Sequence, residues 1–264
     1  YVTPIKKANN GVILDCGNRG TTARLLAGLV AGLGVRAKFT GDETLVKRPM
    51  ERVLKPLEKM GAKFKRYKNG LFESCGGSLL GSEIVAEVNS AQVKSAVLIA
   101  GLFAAGVTVY CEKLPTRNHT ELMLYGCGAD IKSDGLNISV SRSTLKSLNL
   151  TVPNDPSSVA YLIALSLLAG KNTSFDNVLL NERRLGFFNV LKRCGANLLI
   201  HNNRVEHGEN VGSVSVFKSE LKPLYASIQD VCDAIDELPV LSAIALAIRG
   251  EHRFCNVREL RYKE

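Results

Sequence analysis

The stretch KPLEKMGAKF, residues 55–64, carries Leu57, a Gly61-Ala62 pair four positions on, and an apolar Phe64 three beyond the glycine. The same spacing returns in MLYGCGADI (123–131), with Leu124, Gly128-Ala129 and Ile131, and in NVLKRCGANLL (189–199), with Leu191, Gly195-Ala196 and Leu198. The glycines stand 67 residues apart both times. Glycine supplies the left-handed residue that ends a helix, and an apolar residue close behind it opens a strand. The spacing therefore predicts, three times over, a helix closed by glycine and followed directly by a strand.

A second series lies ahead of the first. TTARLLAGLVAG, SAQVKSAVLIAG and SVAYLIALSLLAG close on Gly32, Gly101 and Gly170, 69 residues apart, with Leu29, Leu98 and Leu167 in register. DAIDELPVLSAIALAIRG adds a fourth copy, ending at Gly250 after a gap of 80. These helices are apolar around their whole circumference, so each is expected to be buried. A repeat of about 70 residues follows, in the class α/β: an inner helix, a short strand, an outer amphipathic helix and one or two strands. The Pro- and Asn-containing NLTVPND, residues 149–155, marks a seam and predicts a first domain over 1–150 and a second over 151–264.

Composition narrows the function classes. The 264 residues are 45% hydrophobic and 22% charged, which excludes a disordered, collagen-like or disulfide-stapled chain. No apolar run reaches the roughly 18–20 residues of a membrane span. The opening YVTPIKKANN lacks a signal-peptide core and reads as a cut end. Seven scattered cysteines without a Cys-x-x-Cys pair, and four histidines without zinc spacing, predict reduced thiols packed mostly in the core of a cytoplasmic protein, with no metal site. The net charge of +9 suits phosphate or carboxylate partners. The absence of Trp, with only 6% aromatics, argues against a nucleic-acid stacking surface.

The inner helices open on hydroxyl, amide and small residues: Gly17-Asn18-Arg19-Gly20-Thr21-Thr22, Asn89-Ser90-Ala91-Gln92 and Asp155-Pro156-Ser157-Ser158. Such residues either cap the helix or leave its N–H groups open to an anion. The first of these strings is no P-loop, since the Gly-Lys-Ser/Thr ending is absent. Arg48, just before Pro49, is expected at the cap of the outer helix, where it either grips an anion or pairs with Asp42 or Glu43. Asp236 and Glu237 stand where the fourth apolar helix begins, either as capping acids or as a general base.

Asp15-Cys16-Gly17-Asn18-Arg19-Gly20-Thr21-Thr22-Ala23-Arg24-Leu25-Leu26-Ala27-Gly28, followed by Gly41-Asp42 and Arg48-Pro49-Met50, resembles the 5-enolpyruvylshikimate-3-phosphate synthase (3-phosphoshikimate 1-carboxyvinyltransferase) family. The likeness continues through Ser90-Ala91-Gln92-Val93-Lys94-Ser95-Ala96, Arg117-Asn118-His119-Thr120-Glu121, Asp155-Pro156-Ser157-Ser158, Ile235-Asp236-Glu237-Leu238-Pro239 and Arg258-Glu259-Leu260-Arg261-Tyr262-Lys263-Glu264. It implies two inside-out α/β barrel domains of three repeats each, with substrates bound in a cleft where helix N-termini converge. The implied reaction moves the enolpyruvyl group of phosphoenolpyruvate to the 5-hydroxyl of shikimate 3-phosphate, by addition and elimination. No organic cofactor is implied, and the protein is expected to act as a cytoplasmic monomer bound to neither membrane nor nucleic acid.

Carried over motif by motif, the resemblance assigns phosphoenolpyruvate to Gly20 and Arg48, with Gln92 shared between the substrates. It assigns shikimate 3-phosphate to Ser90, Gln92 and Lys263, with Arg117 at its phosphate. Asp236 is implied as the general base and Glu264 as the proton donor to the methylene carbon. Arg19 stands where the family commonly has Ser or Ala. The family's N-terminal lysine-serine motif has no counterpart in YVTPIKKANN, and the arginine implied beyond Glu264 is missing. Six units of about 70 residues would need some 400, so the reading expects an incomplete chain with little transferase activity of its own. The alternatives are the sister transferase acting on UDP-N-acetylglucosamine, whose cysteine loop is not evident, a non-catalytic anion-binding module, and a purely structural repeat protein.

Overall fold

The computed structural model describes residues 9–68 and 72–262. The chain divides into two units: the first runs to Pro115 and resumes over Met123–Ser147, and the second takes Thr116–Leu122 and everything described from Leu148 on. Each unit has its own core.

In the first unit, β1 (Val12–Asp15) leads into α1 (Gly20–Leu33), β2 (Arg36–Thr40), a short α2 (Glu43–Val46), α3 (Glu51–Lys59), β3 (Phe64–Arg66) and β4 (Phe72–Cys75). β5 (Glu83–Val85), α4 (Ala91–Gly101), β6 (Val107–Cys111), α5 (His119–Gly126, whose first half is counted with the second unit), β7 (Ile131–Asp134) and β8 (Asn137–Ser141) repeat that course. The two sheets have the same order, β1-β2-β4-β3 and β5-β6-β8-β7. In each, the first pair is parallel across the inner helix and the remaining two pairs are antiparallel. The inner helices α1 and α4 pack so closely that a Cβ on Gly28 would lie 2.2 Å from the Ala96 carbonyl oxygen, which only glycine permits.

The second unit holds α6 (Pro156–Leu168), β9 (Thr173–Leu179), a 3₁₀ turn (Glu182–Arg184), α7 (Gly186–Arg193), β10 (Asn197–Glu206) and β11 (Glu209–Phe217). The sheet order is β10-β11-β9, and a parallel bridge from Asn154 to Val178 stands where the other modules have a leading strand. A further module begins with β12 (Tyr225–Ala226), α8 (Ile228–Asp233), α9 (Leu238–Leu246) and β13 (Arg253–Phe254), with β12 and β13 parallel. The leading positions, Val12, Glu83, Asn154 and Tyr225, fall at a constant interval of 71 residues.

The three repeat glycines have the positive φ expected of them: 108° at Gly61, 81° at Gly128 and 93° at Gly195. Strands begin at Phe64, Ile131 and Asn197, directly behind them. Other expectations need correction. α4 is buried almost all round, but α6 exposes Tyr161, Leu162, Leu165 and Leu168, and α9 exposes Leu246. Apolarity alone does not bury a helix; neighbours on every side do, and α6 packs on α9, β9 and β11 from one side. Of the seven cysteines, all free thiols, Cys16 and Cys194 are buried and Cys75 is exposed. No helix among the described residues is long and apolar enough to cross a membrane.

Candidate functional site

In the first unit, the residues that matter gather at the N-termini of the two inner helices. Arg19 is the residue before α1, extended at φ −88° with its side chain exposed, and it makes no side-chain cap bond. Ser90 precedes α4 in the same way, also without a cap bond. The first-turn N–H groups of both helices are thus left without the side-chain acceptor that Ser or Asn commonly provides. Arg48 is not at the cap of α3, which is Met50; its N–H donates to the Leu45 carbonyl, closing the turn after α2. Asp42 caps α2, accepting from Thr44 N–H at 3.0 Å and Leu45 N–H at 2.9 Å. That turn folds the Arg48 side chain back over Gly20: a Cβ there would lie 3.0 Å from Arg48 Nη1 and 3.6 Å from Arg24 Nη1. Two guanidinium groups therefore lie over the bare start of a helix, where backbone donors and positive charge add.

Arg24 and Thr21 are the residues that sequence reasoning missed. Arg24 is 7% exposed, and its Nη1 donates to Gln92 Oε1. Gln92 Nε2 donates in turn to Thr21 Oγ1 at 2.7 Å. This pair of bonds fixes which end of the Gln92 amide points where. The signal was present: an arginine one turn after Gly20 on an otherwise apolar helix needs a buried partner. Two positions past Gln92, Lys94 is 0% exposed and bonds Glu112 Oε2 at 3.1 Å, an ion pair within the core.

The second unit assembles its own charged group. Thr116–Leu122 brings Arg117, whose Nη1 lies 2.7 Å from Asp236 Oδ2. Arg117 Nε and Nη2 are buried and have no hydrogen-bond partner among the described residues. Glu237, adjacent to Asp236, is the residue before α9 but does not cap it. Its Oε1 accepts from the Ser157 hydroxyl, and burial pushes its carboxyl above the usual carboxylate range, against Ser157, Arg117 and Arg184 and with the help of Asp236. Arg184 Nη2 donates to Asp155 Oδ1 and Ser157 Oγ, both at 2.6 Å, tying the 3₁₀ turn to the start of α6. Nearby, His119 Nδ1 meets Glu209 Oε1 at 2.6 Å, and Asn181 Nδ2 donates to Glu209 Oε2 at 2.6 Å. Burial would raise the Glu209 carboxyl, but these two bonds and the charges of His119 and Arg184 hold it below its ordinary value.

Of the residues assigned from sequence, Gly20, Arg48, Ser90 and Gln92 belong to the first unit, and Gly20 and Arg48 are brought into contact there. Arg117 and Asp236 meet in the second. Lys263 and Glu264 lie outside the described residues. Among the described residues, no group of His, Cys, Asp and Glu could hold a metal ion.

The class defined by this arrangement is an α/β protein of repeated modules whose inner-helix N-termini gather cations and amides. The family follows from comparison: the chain belongs to the EPSP synthase (3-phosphoshikimate 1-carboxyvinyltransferase) family, whose model matches residues 3–264. It is 43% identical over 255 residues to the 3-phosphoshikimate 1-carboxyvinyltransferase of Clostridium tetani, covering 95% of this chain and 58% of that protein. The enzyme of the same name from Sulfurihydrogenibium sp. is 42% identical, covering 96% and 61%. A solved EPSP synthase from Acinetobacter baumannii matches with a TM-score of 0.81 and 37% identity, over 96% of this chain and 59% of that one. The chain thus spans about 60% of the length of these relatives. Its fold is the inside-out α/β barrel type of those structures.

Proposed function

We propose that this chain carries substrate-binding and catalytic residues of an enolpyruvyl transfer, from phosphoenolpyruvate to the 5-hydroxyl of shikimate 3-phosphate, in the cytoplasm. The observation that carries this reading is membership of the family over residues 3–264. In the first unit, the paired guanidinium groups of Arg48 and Arg24 above Gly20 suit the phosphate and carboxylate of phosphoenolpyruvate. Gln92, oriented by Arg24, faces both substrates, and Ser90 holds shikimate 3-phosphate. In the second unit, Arg117 receives the phosphate of shikimate 3-phosphate, and Asp236 takes the proton of its 5-hydroxyl. As that proton leaves, the oxygen attacks C2 of phosphoenolpyruvate while its methylene carbon is protonated, the role assigned to Glu264. Elimination from the tetrahedral adduct, in which the methyl group loses a proton as inorganic phosphate departs, re-forms the double bond and completes the transfer. The cations stabilise the anionic charge of that adduct. The two units are read as the two barrel domains of the family, meeting in sequence near residue 150.

Calorimetric titration of the chain with shikimate 3-phosphate tests this reading. Saturable binding is expected, and the double variant Gln92→Ala, Asp236→Ala is expected to lose it. A folded chain that binds no shikimate 3-phosphate, or a variant that binds as well as the unsubstituted chain, overturns the assignment.

A further inference from the structure

Two adjacent acids, Asp236 and Glu237, have opposite surroundings. The Asp236 side chain is 34% exposed and closed on Arg117 at 2.7 Å. Glu237 is 1% exposed. The charged groups facing it are Arg117 from the segment ahead of α5, Arg184 from the 3₁₀ turn and Asp236 from its own turn, with Asp155 beyond Ser157 at the start of α6. Among the described residues neither arginine donates a hydrogen bond to it, and Arg184 reaches it only as a loose ion pair. Arg117 Nη1 is on Asp236, and Arg184 Nη2 stands 3.8 Å from Glu237 Oε1 while donating to Asp155 and Ser157 at 2.6 Å. Glu237 Oε2 is buried with no hydrogen-bond partner among the described residues.

An ionised Glu237 would leave a bare anionic oxygen in a dry environment and set a second negative charge against Asp236. A protonated one leaves only a neutral oxygen unsatisfied, a far smaller cost. We propose that Glu237 is a positioning residue that keeps its proton at neutral pH, so that Arg117 is committed to Asp236 and Asp236 alone carries the charge of the pair. This inference rests on the reading of Asp236 as the general base; what it adds is a division of labour between neighbouring carboxyls, one ionised to accept a proton and one neutral to hold the helix start in place through Ser157.

Carbon-13 carboxyl spectra of the labelled chain from pH 3 to pH 10, assigned with Glu237→Gln and Asp236→Asn, test the proposal. At pH 7 the Glu237 resonance is expected at its protonated position and that of Asp236 at its ionised position. Glu237→Gln is expected to leave the Asp236 midpoint where it is in the unsubstituted chain, because no charge has been removed. An ionised Glu237 at pH 7 overturns the proposal, and so does a fall in the Asp236 midpoint in the Gln variant. Should that variant fail to fold, the Glu237 titration of the unsubstituted chain decides alone. The titration needs no substrate. Failure to bind shikimate 3-phosphate would count against the proposed function and leave the charge state of Glu237 to be read separately.

Discussion

Helices α4 and α6 come from equivalent places in the repeat and are both apolar, yet they are buried differently. α4 packs against α1, α3, β6 and β8, and even its lysine is sealed from water. α6 packs from one side, leaving Leu165 64% exposed on the other. A helix sequence can therefore be suited to an interior without the unit itself supplying one. The N-termini differ as well. Asp155 caps α6 through Ser157 N–H at 3.3 Å and holds Arg184, whereas the starts of α1 and α4 have no side-chain cap. The end tied down by a cap contributes to stability, and the ends left open suit ligands.

The sharpest test of this contrast is the buried ion pair on α4. Lys94→Met takes the buried cation away from Glu112 and is expected to cost about 3–5 kcal/mol, while Lys94→Met with Glu112→Met recovers most of the loss. Urea denaturation midpoints read both; a single variant as stable as the unsubstituted chain would show that α4 is less sealed than described. Next, Leu98→Ala, at a fully buried position of α4, is expected to cost about 2–5 kcal/mol. The same change at the exposed Leu165 of α6 should stay within about 0.5 kcal/mol. Equal losses at the two positions would mean that α6 is covered in solution.

The caps make a smaller contrast. Asp155→Ala is expected to cost about 0.5–2 kcal/mol, because a cap bond and an arginine contact are lost together. Ser90→Ala should leave the melting temperature nearly unchanged while weakening shikimate 3-phosphate binding in the calorimeter. A last contrast concerns pH, with opposite signs at two glutamates of the second unit, the buried Glu237 and the partly exposed Glu209. Glu237 has a raised folded value, so the stability it contributes is present below its unfolded value of about 4.3 and is lost as pH rises through the folded one. Glu209 has a lowered folded value, so its contribution is present above the unfolded value and is lost as pH falls through the folded one. Stability measured against pH should therefore lose the decline that sets in as pH rises above about 4.3 in Glu237→Gln and part of its acid decline in Glu209→Gln. The same sign in both would refute the assignment of opposite environments.

The repeat was legible because its causes are local. A glycine at positive φ after a helix and an apolar residue opening a strand are short-range requirements, and Gly61, Gly128 and Gly195 meet them from sequence alone. The same holds for the apolar inner helices and for Asp236 at the mouth of one of them. The partner of Arg24 and the Arg184–Ser157–Glu237 chain were not legible, since each joins residues far apart in sequence: Arg24 and Gln92 are separated by 68 positions, Ser157 and Glu237 by 80. No periodicity encodes which buried cation meets which carboxyl.

By itself, then, the sequence determined the α/β repeat, its interval and the hydroxyl- and amide-rich starts of the inner helices, because propensity, capping and hydrophobic period act over a few residues. Only the tertiary structure decided that Arg48 turns back over Gly20, that Arg24 sets the Gln92 amide, and that Asp236 is exposed to Arg117 while Glu237 is sealed. Burial and partner choice depend on what the rest of the chain brings alongside. Those two quantities separate a carboxyl that ionises from a neighbour that keeps its proton.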